Sequence, residues 1–231
     1  MSEPGSKRGR THDAEGAREA ILNAAEQVFA EHGFDGARID TIAKVASYNK
    51  SLIFQYFGDK LGLYNEVIRR ADDQTRELQT IALAALTNDA PHTPEQISEL
   101  LRQFVGWYFD YLVEHPQILR IYMWEMAEGW QSFAKIVSQR DFDDIDQFGP
   151  VLVALQNAGL LWSDLNPIVQ LVPAMFSCHT FLALLPIYRI LMPAEDLSSK
   201  ASLAKIREFV VEFVIRGLLR TPAEARRPQA G

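Results

Sequence analysis

The sequence predicts an all-α protein. Apolar residues recur at helical spacing over most of the 231 residues, no stretch sustains two-residue alternation of β-branched side chains, and no Asn-Gly or Asp-Gly hairpin signal occurs. The prolines agree: those at 94, 116, 167 and 193 fall at or near the ends of periodic segments, where a missing backbone N–H does little harm.

Residues 1–15 are polar, with too few apolar groups to offset ordering entropy, and are expected to form a flexible tail. A helix is predicted over about 16–32, where Ile21, Leu22, Ala25, Val28 and Phe29 share one face and Gly33 supplies the stop. After a four-residue loop, a short helix at about 39–46 carries Ile39, Ile42, Ala43 and Ala46 on one side. Ser47-Tyr48-Asn49 then interrupts the pattern. Asn49 is a good N-cap for a second short helix, Lys50 to about Phe57, with Leu52 or Ile53, Tyr56 and Phe57 facing inward. Gly58 ends it and Asp59 caps a long helix from Lys60 to about Leu86, whose Leu63, Tyr64, Val67, Ile68, Ala71 and Thr75 form one stripe. Further helices are predicted at about 94–114, 117–128, 140–159, 167–192 and 199–219. Residues 221–231 are expected to form a second flexible tail.

The net charge of −7 is unevenly spread. Residues 1–70 hold ten Lys/Arg and ten Asp/Glu, and the remainder thirteen against twenty, so a nucleic-acid site belongs near the N-terminus, where phosphates can be neutralised locally. The start of the chain has no apolar signal region and the single cysteine, Cys178, excludes a disulfide framework; both favour the cytoplasm.

One amphipathic helix followed by two short helices three residues apart is the arrangement that places a reading helix in the DNA major groove. The segment GFDGARIDTIAKVASYNKSLIFQYFGDKLGLYNEVI carries more than the geometry. Its Gly33-Phe34 pair, Ile42-Ala43, the run Phe54-Gln55-Tyr56-Phe57, the turn Gly58-Asp59-Lys60 and Leu63-Tyr64 resemble the DNA-binding segment of the TetR family over residues 16–68. Where that family usually has Gly-Val in the turn, this chain has Ser47-Tyr48; a left-handed Ser47 costs about 1 kcal/mol. Ala37 also replaces the Ser or Thr that often caps the second helix, although Asp40 still favours its positive end.

Within that frame Lys50, Ser51 and Gln55 are the candidate base-reading residues, since Gln pairs with adenine and Lys with guanine or phosphate. Tyr48, Asn49, Tyr56, Lys60, Arg38 and Thr41 are the candidate phosphate or backbone contacts, and Lys7, Arg8 and Arg10 a possible arm along the DNA. Domain boundaries follow: a helix-turn-helix domain over 16–62, joined by the long helix to a helical regulatory and dimerisation domain over 63–220.

The second domain is expected to take a small-molecule effector. Aromatic and Met residues crowd positions 104–133, and Trp107, Tyr108, Tyr111, Tyr122, Trp124 and Met126, with Phe176 and His179, are the candidates for an apolar or aromatic ligand site. The run from Ile168 to Pro193 carries one charge, Arg189, but Pro173, Pro186, Gln170 and His179 and the lack of basic flanks argue for a buried helix rather than a membrane span. The resemblance implies a homodimer built from the last two helices, with Phe181, Leu184, Leu185, Tyr188, Ile206, Phe209, Val210 and Phe213 as candidate interface residues, matching a palindromic DNA site.

No catalytic reading competes. The five histidines are scattered, Cys178 and His179 are adjacent and so point about 100° apart on a helix, and no P-loop, dinucleotide fingerprint, nucleophile elbow or zinc motif occurs. The acidic run Asp141, Asp143, Asp144 and Asp146 lacks the glycine and terminal glutamate of a calcium loop. No cofactor or metal is expected. The expected function is transcriptional regulation, a repressor released by a ligand; the alternatives are a helical protein-interaction scaffold and, less favoured, an enzyme.

Overall fold

Eleven helices make up the described part of the chain, which in this computed structural model comprises residues 7–86, 93–138, 143–161 and 165–220. They are α1 (Lys7–Gly36), α2 (Ile39–Ala46), α3 (Lys50–Phe57), α4 (Lys60–Leu86), α5 (Pro94–Glu114), α6 (Pro116–Ala127), α7 (Gln131–Val137), α8 (Asp143–Asn157), α9 (Pro167–Ala183), α10 (Leu185–Leu191) and α11 (Lys200–Leu218). The one β feature among the described residues is an isolated bridge between Leu161 and Leu219. The chain folds as two compact units, Met1–Gln74 with Gln117–Arg140, and Thr75–Pro116 with Asp141–Gly231.

In the first unit, the stripe read from the sequence is the core: Ile21, Leu22, Ala25, Val28 and Phe29 of α1 are buried with Ile42, Ala43 and Ala46 of α2, Ile53 and Phe57 of α3, and Leu63, Tyr64, Val67 and Ile68 of α4. Helix α1 starts at Lys7, ahead of the expected residue 16, in a segment without proline. At its other end Gly33 takes φ 67°, which breaks the helix as its residue type predicts. A Cβ there would also lie 3.1 Å from the Trp124 ring, so the position needs glycine twice over. Trp124 donates its indole N–H to the Ala30 carbonyl at 3.2 Å, and the buried Glu125 accepts from the Tyr64 hydroxyl at 2.7 Å and from the Phe133 amide at 3.1 Å. These bonds fix α6 and the start of α7 to α1 and α4. The expected helix at 117–128 is α6, and a further short helix not expected from the sequence, α7, follows the turn made by Gly129 and Trp130, both at positive φ.

The second unit packs α5, α9 and α11 together, with α8 against α9. Ile97, Leu152, Leu155, Leu160 and Leu161 form one buried cluster. The α5 start is a capping box, Thr93 with Gln96, followed by Pro94. A Cβ on Gly106 of α5 would lie 2.3 Å from the Arg207 guanidinium, which crosses that point to bond Asp110 at 2.9 and 3.0 Å. The segment expected as one helix over 167–192 is two, α9 and α10, bent by 46°. Pro186 accounts for the bend, because it offers no N–H to the Leu182 carbonyl and its ring crowds that oxygen. No single described helix is long and apolar enough to cross a membrane.

Candidate nucleic-acid interface

The two short helices are held by local chemistry that leaves one face outward. The α2 C-terminus ends in a Schellman pair, Tyr48 N–H to the Ala43 carbonyl at 3.0 Å and Ser47 N–H to the Lys44 carbonyl at 3.2 Å. That closure requires Ser47 in the left-handed region, at φ 60° and ψ 32°. The α2 N-cap is Arg38, one residue after the position expected from Ala37, and it makes no side-chain cap bond; Ala37 is buried instead. Helix α3 is capped as predicted, with the Asn49 Oδ1 accepting from the Leu52 N–H at 2.8 Å. Asp59 caps α4 by accepting from the Gly62 N–H at 2.7 Å.

Because Ile53 and Phe57 are buried, the rotation of α3 about its axis is set. Lys50, Ser51 and Gln55 are exposed, as are Arg38, Tyr48 and Asn49; Thr41, Tyr56 and Lys60 are half-buried. The Lys50 ammonium pairs with Asp40 at 2.5 Å across the α2–α3 turn. Lys60 points back to the loop after Gly33: its ammonium lies 4.6 Å from the Phe34 ring centroid and donates to the Asp35 carbonyl at 3.3 Å. Partial burial lowers the Lys60 pKa, opposed by the Asp35 and Glu128 carboxylates. Tyr56 packs edge-on against Phe57. One exposed residue on this face was absent from the sequence-based candidates: Phe54, 45% exposed. The inward face read from the sequence did not include it, and the burial of Ile53 and Phe57 places it outside. The side chains of Lys7, Arg8 and Arg10 lie outside the described residues.

The ligand candidates fall into two groups. Trp107, Tyr108, Tyr111, Phe176 and His179 belong to the second unit, where they form a continuous stack: Trp107 on Tyr111 at 5.5 Å, Tyr111 beside Tyr108 at 6.3 Å, Tyr108 on His179 at 5.5 Å and His179 on Phe176 at 4.5 Å. The Tyr108 hydroxyl lies 3.3 Å from the His179 Nε2. Burial pushes the His179 pKa down to about 4, against the pull of the Met175 carbonyl, so the ring is neutral near pH 7. Its neighbour Cys178 is buried and pushed up to about 12, an unreactive thiol. Tyr122, Trp124 and Met126 belong to the first unit; Tyr122 packs with Trp130 and Phe133, and Trp124 and Met126 are exposed at their outer edges.

The interface candidates lie on α9, α10 and α11. Phe209 and Phe213 are 57% and 54% exposed and flank Phe181, with ring centroids at 5.5 and 6.1 Å from it. Leu184 is exposed, and Leu185, Tyr188 and Ile206 are half-buried. Val210 is fully buried in the unit's own core. An open apolar groove of about 470 Å³ continues this face, lined by Val169, Pro173, Phe213, Val214 and Leu218 among others. Among the described residues no three His, Cys, Asp or Glu side chains converge as a metal site would require; Asp141 and the side chains of Asp143, Asp144 and Asp146 lie outside them.

Comparison with known proteins agrees with this architecture. Residues 21–67 match the family of bacterial regulatory proteins of the TetR type, and residues 98–214 match the tetracycline-repressor-like C-terminal domain. The chain is 27% identical over 220 residues to the transcriptional repressor NicS of Pseudomonas putida, covering 91% of this chain and 96% of that one. A helix-turn-helix repressor of Streptomyces coelicolor is 34% identical over 119 residues, about half of each chain, at 50% and 53%. A TetR-family regulator from Marinobacter aquaeolei has the same fold, with a TM-score of 0.61 at 19% identity over 92% of this chain and 100% of that one. These relatives are regulators, not enzymes, and the reading helix α3 lies within the matched N-terminal segment. The chain belongs to the TetR family, as a helix-turn-helix DNA-binding transcriptional regulator.

Proposed function

We propose that the chain is a cytoplasmic repressor that binds a palindromic operator as a homodimer and is released by a small apolar or aromatic effector. The observation that supports it is the outward face of α3, where Lys50, Ser51 and Gln55 stand exposed on a helix anchored by Ile53 and Phe57. In this reading Gln55, Lys50 and Ser51 meet base edges. Arg38, Thr41, Tyr48, Asn49, Tyr56 and Lys60 meet phosphates and hold the register. Lys50 exchanges Asp40 for DNA at little cost, because an exposed ion pair is worth about 0–1 kcal/mol. The repressor names of the two curated relatives support the direction of regulation.

The effector site is the aromatic stack of the second unit, Trp107, Tyr108, Tyr111, Phe176 and His179. Flat rings packed around one neutral imidazole, with a Tyr108–His179 polar contact among them, are the chemistry of a site that an apolar or aromatic molecule would enter by repacking them. Helix α4 begins in the DNA-binding unit and continues past Gln74 into the other, so it is the element through which a repacked core would reach the reading helices.

Two experiments test this reading. Selecting bound DNA from a random pool should return a palindrome. Gln55→Ala should change the preferred bases by about 1–3 kcal/mol per lost bidentate contact, while Lys60→Ala weakens all sequences alike. Identical selected profiles for Gln55→Ala and wild type would remove Gln55 from the readout. Titrating an effector with and without operator tests the coupling, since a 100-fold preference for the DNA-free form is about 2.7 kcal/mol and must appear in both directions. Equal effector affinity in both titrations excludes induction by that compound.

A further inference from the structure

We propose that Phe54 reads a thymine methyl group in each half-site, so that part of the operator preference is set by an apolar contact. The proposal rests on the DNA-binding reading above. Helix α3 has eight residues, and the burial of Ile53 and Phe57 leaves Lys50, Ser51, Phe54 and Gln55 outward. Phe54 follows Lys50 by four residues and Ser51 by three, so it shares a helix face with both, and a groove that receives those polar side chains receives the phenyl ring with them. Single exposed apolar residues are ordinary on protein surfaces. Phe54 differs in its place on the reading face.

The chemistry of the ring selects its partner. Phenylalanine has neither donor nor acceptor, so it cannot hold a phosphate as the Tyr48 and Tyr56 hydroxyls can. Of the base edges in the major groove, only thymine presents an apolar group, its 5-methyl. A ring that is 45% exposed loses water-facing apolar area against that methyl and against no other base feature.

The test uses the full-length protein and its selected site, with thymidine replaced by deoxyuridine one position at a time in both half-sites. Deoxyuridine keeps the pairing and the O4 acceptor and removes only the methyl. Wild type should lose about fourfold in affinity per half-site at one position, roughly fifteenfold for the pair, the size expected for one methyl. Phe54→Ala should bind the two DNAs equally, whereas Gln55→Ala should keep the wild-type sensitivity. Circular dichroism melting checks that Phe54→Ala is folded, and Phe54→Leu, which keeps an apolar contact, should retain part of the methyl dependence. Wild-type tolerance of every deoxyuridine, or the same sensitivity in Phe54→Ala as in wild type, overturns the proposal while leaving DNA binding intact. A pool from which nothing is enriched overturns the DNA-binding reading, and this proposal with it.

Discussion

Ser47 joins sequence to backbone at a single residue. Closing the Schellman pair forces it to φ 60°, a region that costs a residue with a Cβ about 1 kcal/mol and costs glycine nothing comparable. Ser47→Gly should therefore raise stability by up to about 1 kcal/mol in urea unfolding, without changing the selected DNA site. An unchanged midpoint would mean that the surrounding turn already absorbs the strain. Asn49 illustrates the opposite case, a residue whose type matches its place: it is not helical itself, and its Oδ1 satisfies the Leu52 N–H that the start of α3 would otherwise leave open.

Pairs of elements carry the next level of cohesion, and α5 with α9 is one with a buried titratable contact. His179 of α9 is buried against Tyr108 of α5, and desolvation lowers its pKa from 6.5 to about 4. The folded state binds fewer protons than the unfolded one between those values, so this contribution is complete above pH 6.5. It is lost as pH falls toward 4, by roughly 3 kcal/mol in total. His179→Gln should flatten the pH dependence of thermal unfolding between pH 6.5 and 4; an equally steep loss in the variant would assign the acid sensitivity to other groups. The α9–α10 bend belongs to the same scale. Pro173 lies inside α9 without ending it, whereas Pro186 coincides with the break, because the chain there has already reached the end of the packed face and α10 contributes no buried residue.

At the scale of the whole molecule, the described residues of α9 and α11 leave an apolar face exposed that an isolated chain should not present to water. Phe181, Phe209 and Phe213 stack at its centre. If the homodimer is built there, replacing Phe209 and Phe213 by Glu places two charges per chain in an interface that cannot solvate them. Sedimentation should then report a monomer, and operator affinity should fall by at least tenfold because the two half-sites are no longer read together. A dimer that persists in the double variant would move the interface elsewhere.

The helical class, the reading helix and its caps were legible in the sequence because each depends on near neighbours. Ile21 to Phe29 share a face by spacing alone, Gly33 and Gly58 stop helices through their own φ, and Asn49 and Asp59 cap through bonds three residues long. Charge in the first seventy residues, together with the motif, pointed to DNA for the same local reason. What local sequence could not decide depends on residues far apart in the chain; from sequence alone, 117–140 falls within a regulatory domain over 63–220. The grouping of 117–140 with the N-terminal helices rests on Trp124 meeting Ala30 and on Glu125 meeting Tyr64, contacts 94 and 61 residues apart. The outward placement of Phe54 follows from how α3 is rotated onto the core, and the partition of the aromatic residues into a stack around His179 and a separate cluster around Tyr122 follows from tertiary packing. Helical periodicity specifies which residues share a face, but the neighbour that covers that face is chosen only when distant segments meet.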